Sequence, residues 1–383
     1  MNFELSEEHQ DLRSAIESFA SREVSPELIR HCEETRTPPL EAFRKLAKLG
    51  WLELGLPPGA GGVGDYVGFA VVLETLSRAY VPLADLTYRC AVHGGSTIGS
   101  FGTDKMKAEL LPKIAAGEVF CVNGITEPGT GADAASVQTR AVLDGDSWVI
   151  NGSKTFNTGM LFSDFVVCYT RTDPEAPKHK GITAIFVPVD APGITVTPLD
   201  TTGYRTLVTS SVTYDDVRVP AENVLGEVNG GWQVMMGHLE KERFGLCAIT
   251  LGATKRVLDI STRYANERTQ FGRPIGSFQA ISHLLADIQI DVAAGHLLTY
   301  ELAWRLTEGL PCRRESAIAK AHLAQTYKNA ADSGVQVFGA YGYVNDSEVN
   351  RHWRDSRLHT IAGGSLQVQK NIIARELGLP RSY

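Results

Sequence analysis

The chain lacks the marks of a secreted, metal-binding or membrane protein, and its cysteines show this first. The six cysteines among its 383 residues form no Cys-x-x-Cys pair and no Cys/His pattern with the spacing of a zinc site. They lie at Cys32, Cys90, Cys121, Cys168, Cys247 and Cys312. Such scattered cysteines exclude a disulfide scaffold and a zinc module, so we expect buried free thiols in a reducing compartment and no bound metal.

Three further absences narrow the class of protein. No apolar run approaches the length needed to cross a membrane, and residues 1–8 are acidic, whereas a signal peptide is first basic and then apolar. The net charge of −7 leaves no basic excess for the phosphate backbone of a nucleic acid. We therefore expect a cytoplasmic protein whose partners include neither a membrane nor a nucleic acid.

The hydrophobic period changes twice along the chain. Residues 1–119 and 230–383 have helical spacing, whereas residues 120–229 contain short β-rich runs. These runs are residues 137–143, 146–150, 165–169, 182–189, 194–198 and 210–219. Asp144-Gly145, between the first two runs, predicts a type I′ hairpin. The pattern predicts an α+β protein of three domains at these bounds: helical, β-barrel or sandwich, and helical again.

Residues 59–64 form a literal GxGxxG motif. The motif follows Pro57-Pro58 and lies between helical segments, without the strand before it and the helix after it that a dinucleotide-binding turn requires. We therefore predict an ordinary loop here.

Two other glycine-rich segments are more informative, namely residues 125–133 (ITEPGTGAD) and residues 151–158 (NGSKTFNT). They place turns, threonine hydroxyls and the aromatic Phe156 at the edges of neighbouring strands. Backbone amides and hydroxyls at such an edge suit a flat polar ring, while the aromatic side chain packs on its face. The two segments predict the binding site of a ring-shaped cofactor.

Two later segments, residues 264–276 (YANERTQFGRPIG) and 336–342 (QVFGAYG), complete an ordered set of four. This set resembles the acyl-CoA dehydrogenase family, and the resemblance extends over essentially the whole chain. It implies a helical N-terminal domain, a middle β domain, a C-terminal four-helix bundle, FAD as cofactor, and a homotetramer. It also implies an acyl thioester as substrate and an electron-transfer flavoprotein or oxygen as electron acceptor.

The resemblance implies specific cofactor ligands. They are Thr126, Gly131, Phe156, Thr158, Arg268, Phe271, Gln336, Gly339, Ser365 and Gln367. Thr126 and Thr158 would hydrogen-bond the isoalloxazine ring, and Phe156 stands where many members carry a tryptophan against the flavin. The four residues from 268 to 339 match residues that reach the FAD of a neighbouring subunit, and the last two match a loop at the adenine half. Taken singly, a turn threonine would be a backbone cap and Arg268 a surface charge.

The resemblance leaves the position of the catalytic base to be found. The commonest form of the family carries a glutamate in the terminal loop, at the position of Gly363. On the predicted helix that follows Gly231, however, Glu242 lies on an otherwise apolar face with Met235, Leu246 and Ile249. Isovaleryl-type members carry their base on this helix in a Glu-Arg pair that matches Glu242-Arg243. We expect Glu242 to be the base, with burial raising its pKa; the alternative is a structural ion pair with a buried arginine.

The implied reaction removes the α-proton of a thioester while a hydride leaves Cβ for flavin N5. A backbone N–H near Gly364 would donate a hydrogen bond to the thioester carbonyl. Arg243 and Arg89 are candidate substrate-binding residues. Arg89 matches an arginine of glutaryl-CoA dehydrogenases that holds a distal carboxylate; the alternative is a surface or helix-capping arginine. The sequence leaves open coenzyme A or a carrier protein, an oxidase acting on a prolyl-type thioester, a reductase, and a scaffold without activity.

Overall fold

The computed structural model describes residues 4–58 and 61–380 of the chain. Gly59 and Ala60, in the GxGxxG loop, lie outside the described residues. Within the described part, the chain runs through helices, then strands, then helices again.

The N-terminal part consists of seven helices and one π-helical segment. They are α1 (Glu7–Glu23), α2 (Pro26–Thr35), α3 (Leu40–Ala47), α4 (Tyr66–Ala79), α5 (Val81–Tyr88), the π-helical segment Arg89–Ser96, α6 (Thr97–Phe101) and α7 (Asp104–Ala115). Ser6 caps α1, its hydroxyl accepting from the His9 amide at 3.3 Å. Helix α5 is buried along its whole length and continues directly into the π-helical segment, so it places polar residues inside the molecule.

The middle part is a curled β-sheet. Its strands are β1 (Cys121–Gly124), β2 (Arg140–Asp144), β3 (Ser147–Thr158), β4 (Phe165–Arg171), β5 (Ile182–Pro188), β6 (Ile194–Pro198), β7 (Thr209–Pro220) and β8 (Val224–Leu225). The order is β6-β7-β3-β2-β4-β5-β8, and β1 pairs with β4 in parallel. One core joins Ile150 and Val212 from one half of the sheet to Val166 and Ile185 from the other. The sheet therefore closes on its own core, as the predicted barrel or sandwich requires.

The predicted hairpin turn is wrong by one residue. Asp144 pairs with Ser147, so the two turn residues are Gly145 and Asp146. Of these two, Gly145 alone has a positive φ, of 63°. A positive φ at only the first turn residue is the pattern of a type II′ turn, whereas type I′ needs it at both.

The C-terminal part is a bundle of long helices. Its elements are α8 (Gly231–Glu267), the short strands β9 (Thr269–Gln270) and β10 (Arg273–Pro274), α9 (Gln279–Thr307), α10 (Arg313–Phe338), α11 (Glu348–His359) and α12 (Leu366–Glu376). Helix α10 packs against α8, α9, α11 and α12. Helix α8 also packs against α4 and β5, and so joins the bundle to the other two parts.

All six cysteines are free and buried, as the sequence predicts. In the part of the chain that the structure describes, no helix is both long enough and apolar enough to cross a membrane.

Candidate active site

The two glycine-rich segments are hydrogen-bonded to each other, although residues 151–158 form the end of β3 and not the predicted turn. The Thr155 amide donates to the Thr126 carbonyl at 2.9 Å. Lys154 is completely buried, and its ammonium donates to Glu127 Oε1 at 2.8 Å, to the Tyr169 carbonyl at 2.7 Å and to the Ile125 carbonyl at 3.2 Å. Burial alone would raise the pKa of Glu127, but Lys154 and two backbone N–H groups hold this pKa below its ordinary value. The turn that carries Thr126 is thus rigidly placed.

The exposed face of these segments fits a flat polar ring. Phe156 is 65% exposed and has a φ of 60°, a conformation that non-glycine residues seldom adopt and that is often found at functional sites. A Cβ built on Gly131 would meet no atom within 4 Å, so the backbone there is open to close approach. Asn157 Nδ2 is buried without a partner, and the Thr158 hydroxyl lies beside that of Thr209, 2.9 Å away. The exposed Phe156 ring and the neighbouring threonine hydroxyls suit a flavin ring, whereas the Asn157 amide nitrogen is buried.

The other predicted cofactor ligands lie near helix ends. Arg268 caps α8 and Phe271 follows it, 93% exposed; both belong to an exposed loop. Gln336 and Gly339 are exposed at the end of α10, where Phe338 stacks on Tyr264 at 4.2 Å and so brings the ends of α8 and α10 together.

The terminal loop presents the last two predicted ligands. Ser365 caps α12, its hydroxyl accepting from the Val368 amide at 3.4 Å, and Gln367 is exposed on the first turn of that helix. The structure therefore leaves these residues accessible to another molecule.

Glu242 lies on the predicted face of α8. Met235, Leu246 and Ile249 are buried on this face, and the Glu242 side chain is 15% exposed. Its carboxylate oxygen Oε2 lies 3.1 Å from Nε2 of His238, one helical turn earlier. A salt bridge with a buried arginine, the alternative for this position, is therefore not the contact that Glu242 makes.

The predicted rise in the pKa of Glu242 is wrong. Burial does raise this pKa, but the hydrogen bond from His238 and the charges of His238, Arg89 and Arg243 outweigh burial, and the pKa lies below its ordinary value. Glu242 is consequently a carboxylate in the resting protein, ready to accept a proton.

Gly363 faces Glu242 from the terminal loop. A Cβ built on Gly363 would lie 3.7 Å from Glu242 Oε1 and only 2.7 Å from Leu246 Cδ1. Gly363 and Gly364 have φ values of 64° and 88°, which favour glycine. The loop position that carries the base in many relatives and the helix position of Glu242 thus converge on one point.

Arg243 holds the same loop. Its Nε donates to the Gly363 carbonyl at 3.4 Å, while Gln369 donates to the carbonyls of Gly363 and Gly364 at 3.0 and 2.9 Å. Glu240, three residues before Arg243, accepts from Cys312 Sγ at 3.9 Å. Arg243 therefore acts on the loop opposite the base.

Arg89 is not on the surface, and the surface interpretation of its side chain is wrong. The side chain is 12% exposed, and its Nε donates to the fully buried carboxylate of Asp85. Its Nη1 lies 3.5 Å from the carbonyl oxygen of Thr158, at the end of β3. Arg89 thus links α5 to β3, and its charge lowers the pKa of Glu242.

Sequence reasoning missed several polar residues near Glu242. His238 stands four residues before Glu242, a spacing that places both on one helical face. Lys320 is fully buried, donates to the His359 carbonyl, and lies with Cε 3.5 Å from the Cβ position of Gly363; burial lowers its pKa to about 8. A lysine on the apolar face of a helix, beside Ala317 and Leu323, would have indicated this residue.

Comparison with known proteins identifies the class. Models of the acyl-CoA dehydrogenase N-terminal, middle and C-terminal domains match residues 6–118, 123–217 and 229–378. The chain is 35% identical over 380 residues to the probable acyl-CoA dehydrogenase YngJ of Bacillus subtilis (strain 168), a match that covers 98% of this chain and 100% of the relative.

Solved structures match over the whole fold. The glutaryl-CoA dehydrogenase–glutaryl-CoA complex superposes with a TM-score of 0.94 at 29% identity, covering 100% of this chain and 98% of the other. The prolyl acyl carrier protein oxidase AnaB superposes with a TM-score of 0.93 at 26% identity, covering 98% and 100%.

The chain therefore belongs to the acyl-CoA dehydrogenase family and is a flavin oxidoreductase with the fold that the sequence predicts. FAD is the cofactor of this family.

Proposed function

We propose that this protein dehydrogenates an acyl thioester, with Glu242 removing the α-proton. The observation that carries the proposal is the convergence of Gly363 and Glu242: a Cβ at the loop position would lie 3.7 Å from the Glu242 carboxylate. An ionised carboxylate therefore occupies the place of the usual loop base although the loop itself carries a glycine. The pKa of Glu242, lowered through His238, keeps the carboxylate free of a proton before substrate binds.

The residues of this chain have distinct roles in the proposed reaction. Thr126, Phe156 and Thr158 hold the flavin ring, and the exposed residues at the ends of α8 and α10 reach the FAD of a neighbouring subunit in a homotetramer. FAD, when bound, supplies the acceptor of the hydride from Cβ. Glu242 takes the α-proton, leaving a 2,3-unsaturated thioester, while the N–H of Gly364 donates to the thioester carbonyl.

The acyl group and its carrier form the finer part of the proposal. We propose that Arg89 contacts the acyl chain, which is supported by its burial beside Asp85 and by its electrostatic effect on Glu242. The match to a glutaryl-CoA complex favours coenzyme A, and the match to AnaB favours a carrier protein; phosphopantetheine is common to both. Electrons would leave to an electron-transfer flavoprotein or to oxygen.

A second candidate is an oxidase acting on a prolyl-type thioester bound to a carrier protein. It is supported by the superposition with AnaB over 98% of the chain. Rapid reoxidation of the reduced flavin by oxygen, with release of hydrogen peroxide, would favour it over the dehydrogenase.

The test is anaerobic flavin bleaching with a panel of acyl thioesters, comparing wild type with Glu242→Gln. Because a general base contributes roughly 10²- to 10⁴-fold, the variant should bind FAD normally but bleach slower by at least about a hundredfold. Glu240→Gln is the matched control on the same helix and should bleach at the wild-type rate. Unchanged bleaching by Glu242→Gln would refute the base assignment, and a purified protein without flavin colour would support the inactive scaffold instead.

A further inference from the structure

In the part of the chain that the structure describes, four buried polar atoms without hydrogen-bond partners belong to side chains that interact with Glu242 or with its partner His238. They are Asp85 Oδ1, His93 Nδ1, Asn123 Oδ1 and the Tyr169 hydroxyl. A buried polar atom without a partner destabilises the folded chain, so native proteins keep such atoms few and usually for a reason. Four such atoms near the Glu242 carboxylate indicate a ligand that forms the missing hydrogen bonds.

Distances place two of these side chains, His93 and Asn123, beside His238 and Glu242. One ring nitrogen of His93, one of His238 and a Glu242 oxygen all lie within 4.8 Å of one another. Nε2 of His93 is hydrogen-bonded to the Tyr88 hydroxyl at 2.9 Å, and Nδ1 has no partner among the described residues. The Asn123 amide nitrogen lies 3.1 Å from Nε2 of His238, the nitrogen that faces Glu242.

Asp85 and Tyr169 belong to the same neighbourhood. Burial and, after it, the charge of Glu242 raise the pKa of Tyr169, so its phenol stays neutral. Burial also raises the pKa of Asp85, with Arg89 opposing it and Glu242 adding to it. Both groups thus lie within electrostatic reach of the base.

The charges select the kind of ligand group. Arg89 is already paired with Asp85, and both side chains are buried. A carboxylate on the substrate would therefore add an anion beside Asp85 and Glu242, whereas a neutral group adds no charge to desolvate.

The hydrogen-bonding pattern narrows the choice further. His93 is neutral, since burial and the charges of His238 and Arg89 hold its pKa well below the ordinary value. Its Nδ1 is a donor or an acceptor, depending on which way the Tyr88 hydrogen bond runs. A hydroxyl is the smallest neutral group that matches either, because it both donates and accepts.

We propose that the acyl pocket is a polar subsite for a short acyl thioester that carries a hydroxyl beyond Cβ, bound by His93 and Asn123. This inference rests on the proposed thioester dehydrogenation and names its substrate class. The π-helical segment that contains His93 places it there, as wider helical turns often do at functional sites.

The experiment compares three 4′-phosphopantetheine thioesters of matched length on the FAD-loaded protein: 4-hydroxybutyryl, valeryl and glutaryl. Because a buried hydrogen-bonding site discriminates strongly against an analogue that lacks the group, the hydroxylated thioester should bleach the flavin with at least about tenfold higher efficiency than the valeryl one. His93→Leu and, independently, Asn123→Leu should reduce this preference to less than about threefold. His296→Leu is the control, since His296 also has a buried Nδ1 without a partner but lies on α9.

The outcomes separate this inference from the proposed function. Preference of the wild type for valeryl or glutaryl, or an unchanged preference in folded, FAD-binding His93→Leu and Asn123→Leu, overturns the polar subsite alone. If one variant fails to fold, the preference measured in the other decides between the two outcomes. Absence of bleaching by any thioester overturns the proposed dehydrogenation and the subsite with it.

Discussion

Nζ of Lys154 lies 2.8 Å from Oε1 of Glu127, and this buried ion pair joins the two glycine-rich segments of the candidate flavin site. Glu127 also accepts from the amides of Gln138 and Thr139 at 2.7 and 2.9 Å. The pair therefore fixes the loop after Thr126 as well as the strand before Phe156. Its removal should affect cofactor binding without touching the cofactor.

Lys154→Met should lower the free energy of unfolding by about 3–5 kcal/mol, because it leaves the Glu127 carboxylate buried and unpaired. FAD affinity should fall with it, since the Thr126 turn loses its anchor. The checks are chemical denaturation and the release of flavin fluorescence on dilution. Lys178→Met breaks the exposed pair with Asp133 and should cost less than about 1 kcal/mol. Equal losses in the two variants would show that burial of the Lys154 pair is unimportant.

The lowered pKa of Glu242 predicts how the reaction depends on pH. A base with a lowered pKa stays unprotonated to lower pH than an ordinary glutamate, so the midpoint of the acid limb of the bleaching rate should lie below pH 4.5, the ordinary value. The stabilising effect of this carboxylate follows the same sign: it is present above the pKa of the unfolded chain and is lost as the pH falls through the folded pKa. Stopped-flow mixing with brief exposure to acid measures how the bleaching rate falls at low pH.

His238→Leu should move this acid limb to higher pH. The substitution removes the hydrogen bond that lowers the pKa of Glu242, whereas the burial that raises this pKa remains. The pKa of Glu242 should therefore rise. His238→Gln retains an N–H donor and should shift the limb less. A limb that stays in place in His238→Leu would mean that His238 serves packing and not the ionisation of the base.

Gly363→Ala should both destabilise the protein and slow bleaching. Its Cβ would lie 2.7 Å from Leu246 Cδ1 in a backbone with a φ of 64°. Gly309 has the same φ of 64° but no atom within 4 Å of its Cβ position, so Gly309→Ala carries the backbone strain alone. We expect about 1 kcal/mol for Gly309→Ala and about 1–3 kcal/mol more for Gly363→Ala, measured by denaturation. Similar values for both would show that Leu246 yields freely.

The fold was largely predictable because its elements carry strong local patterns. The predicted run 194–198 coincides with β6, and the runs from residues 165 and 182 begin where β4 and β5 begin. The strands that sequence reasoning missed, β1, β8, β9 and β10, have only two to four residues each, too few to show an alternation. The hairpin failed because pairing across the sheet, and not the turn residues alone, sets which two residues form the loop.

The candidate site was predictable only as far as single elements go. The helical stripe on α8 indicated Glu242, but its pKa also depends on burial and on the charge of Arg89, which only tertiary structure supplies. The spacing of Asp85 and Arg89 fits an ion pair on one helix face, yet nothing in it indicates that both are buried.

The shared position of Gly363 and Glu242 also constrains how such a catalytic group changes place during evolution. A side chain at residue 363 would enter the space beside Leu246 and the Glu242 carboxylate, so an acid at residue 363 would crowd both. A lineage that moves its base from loop to helix must therefore either tolerate crowding for a time or lose the base first. We therefore expect relatives to carry an acid at the position of Gly363 or at that of Glu242, but seldom at both.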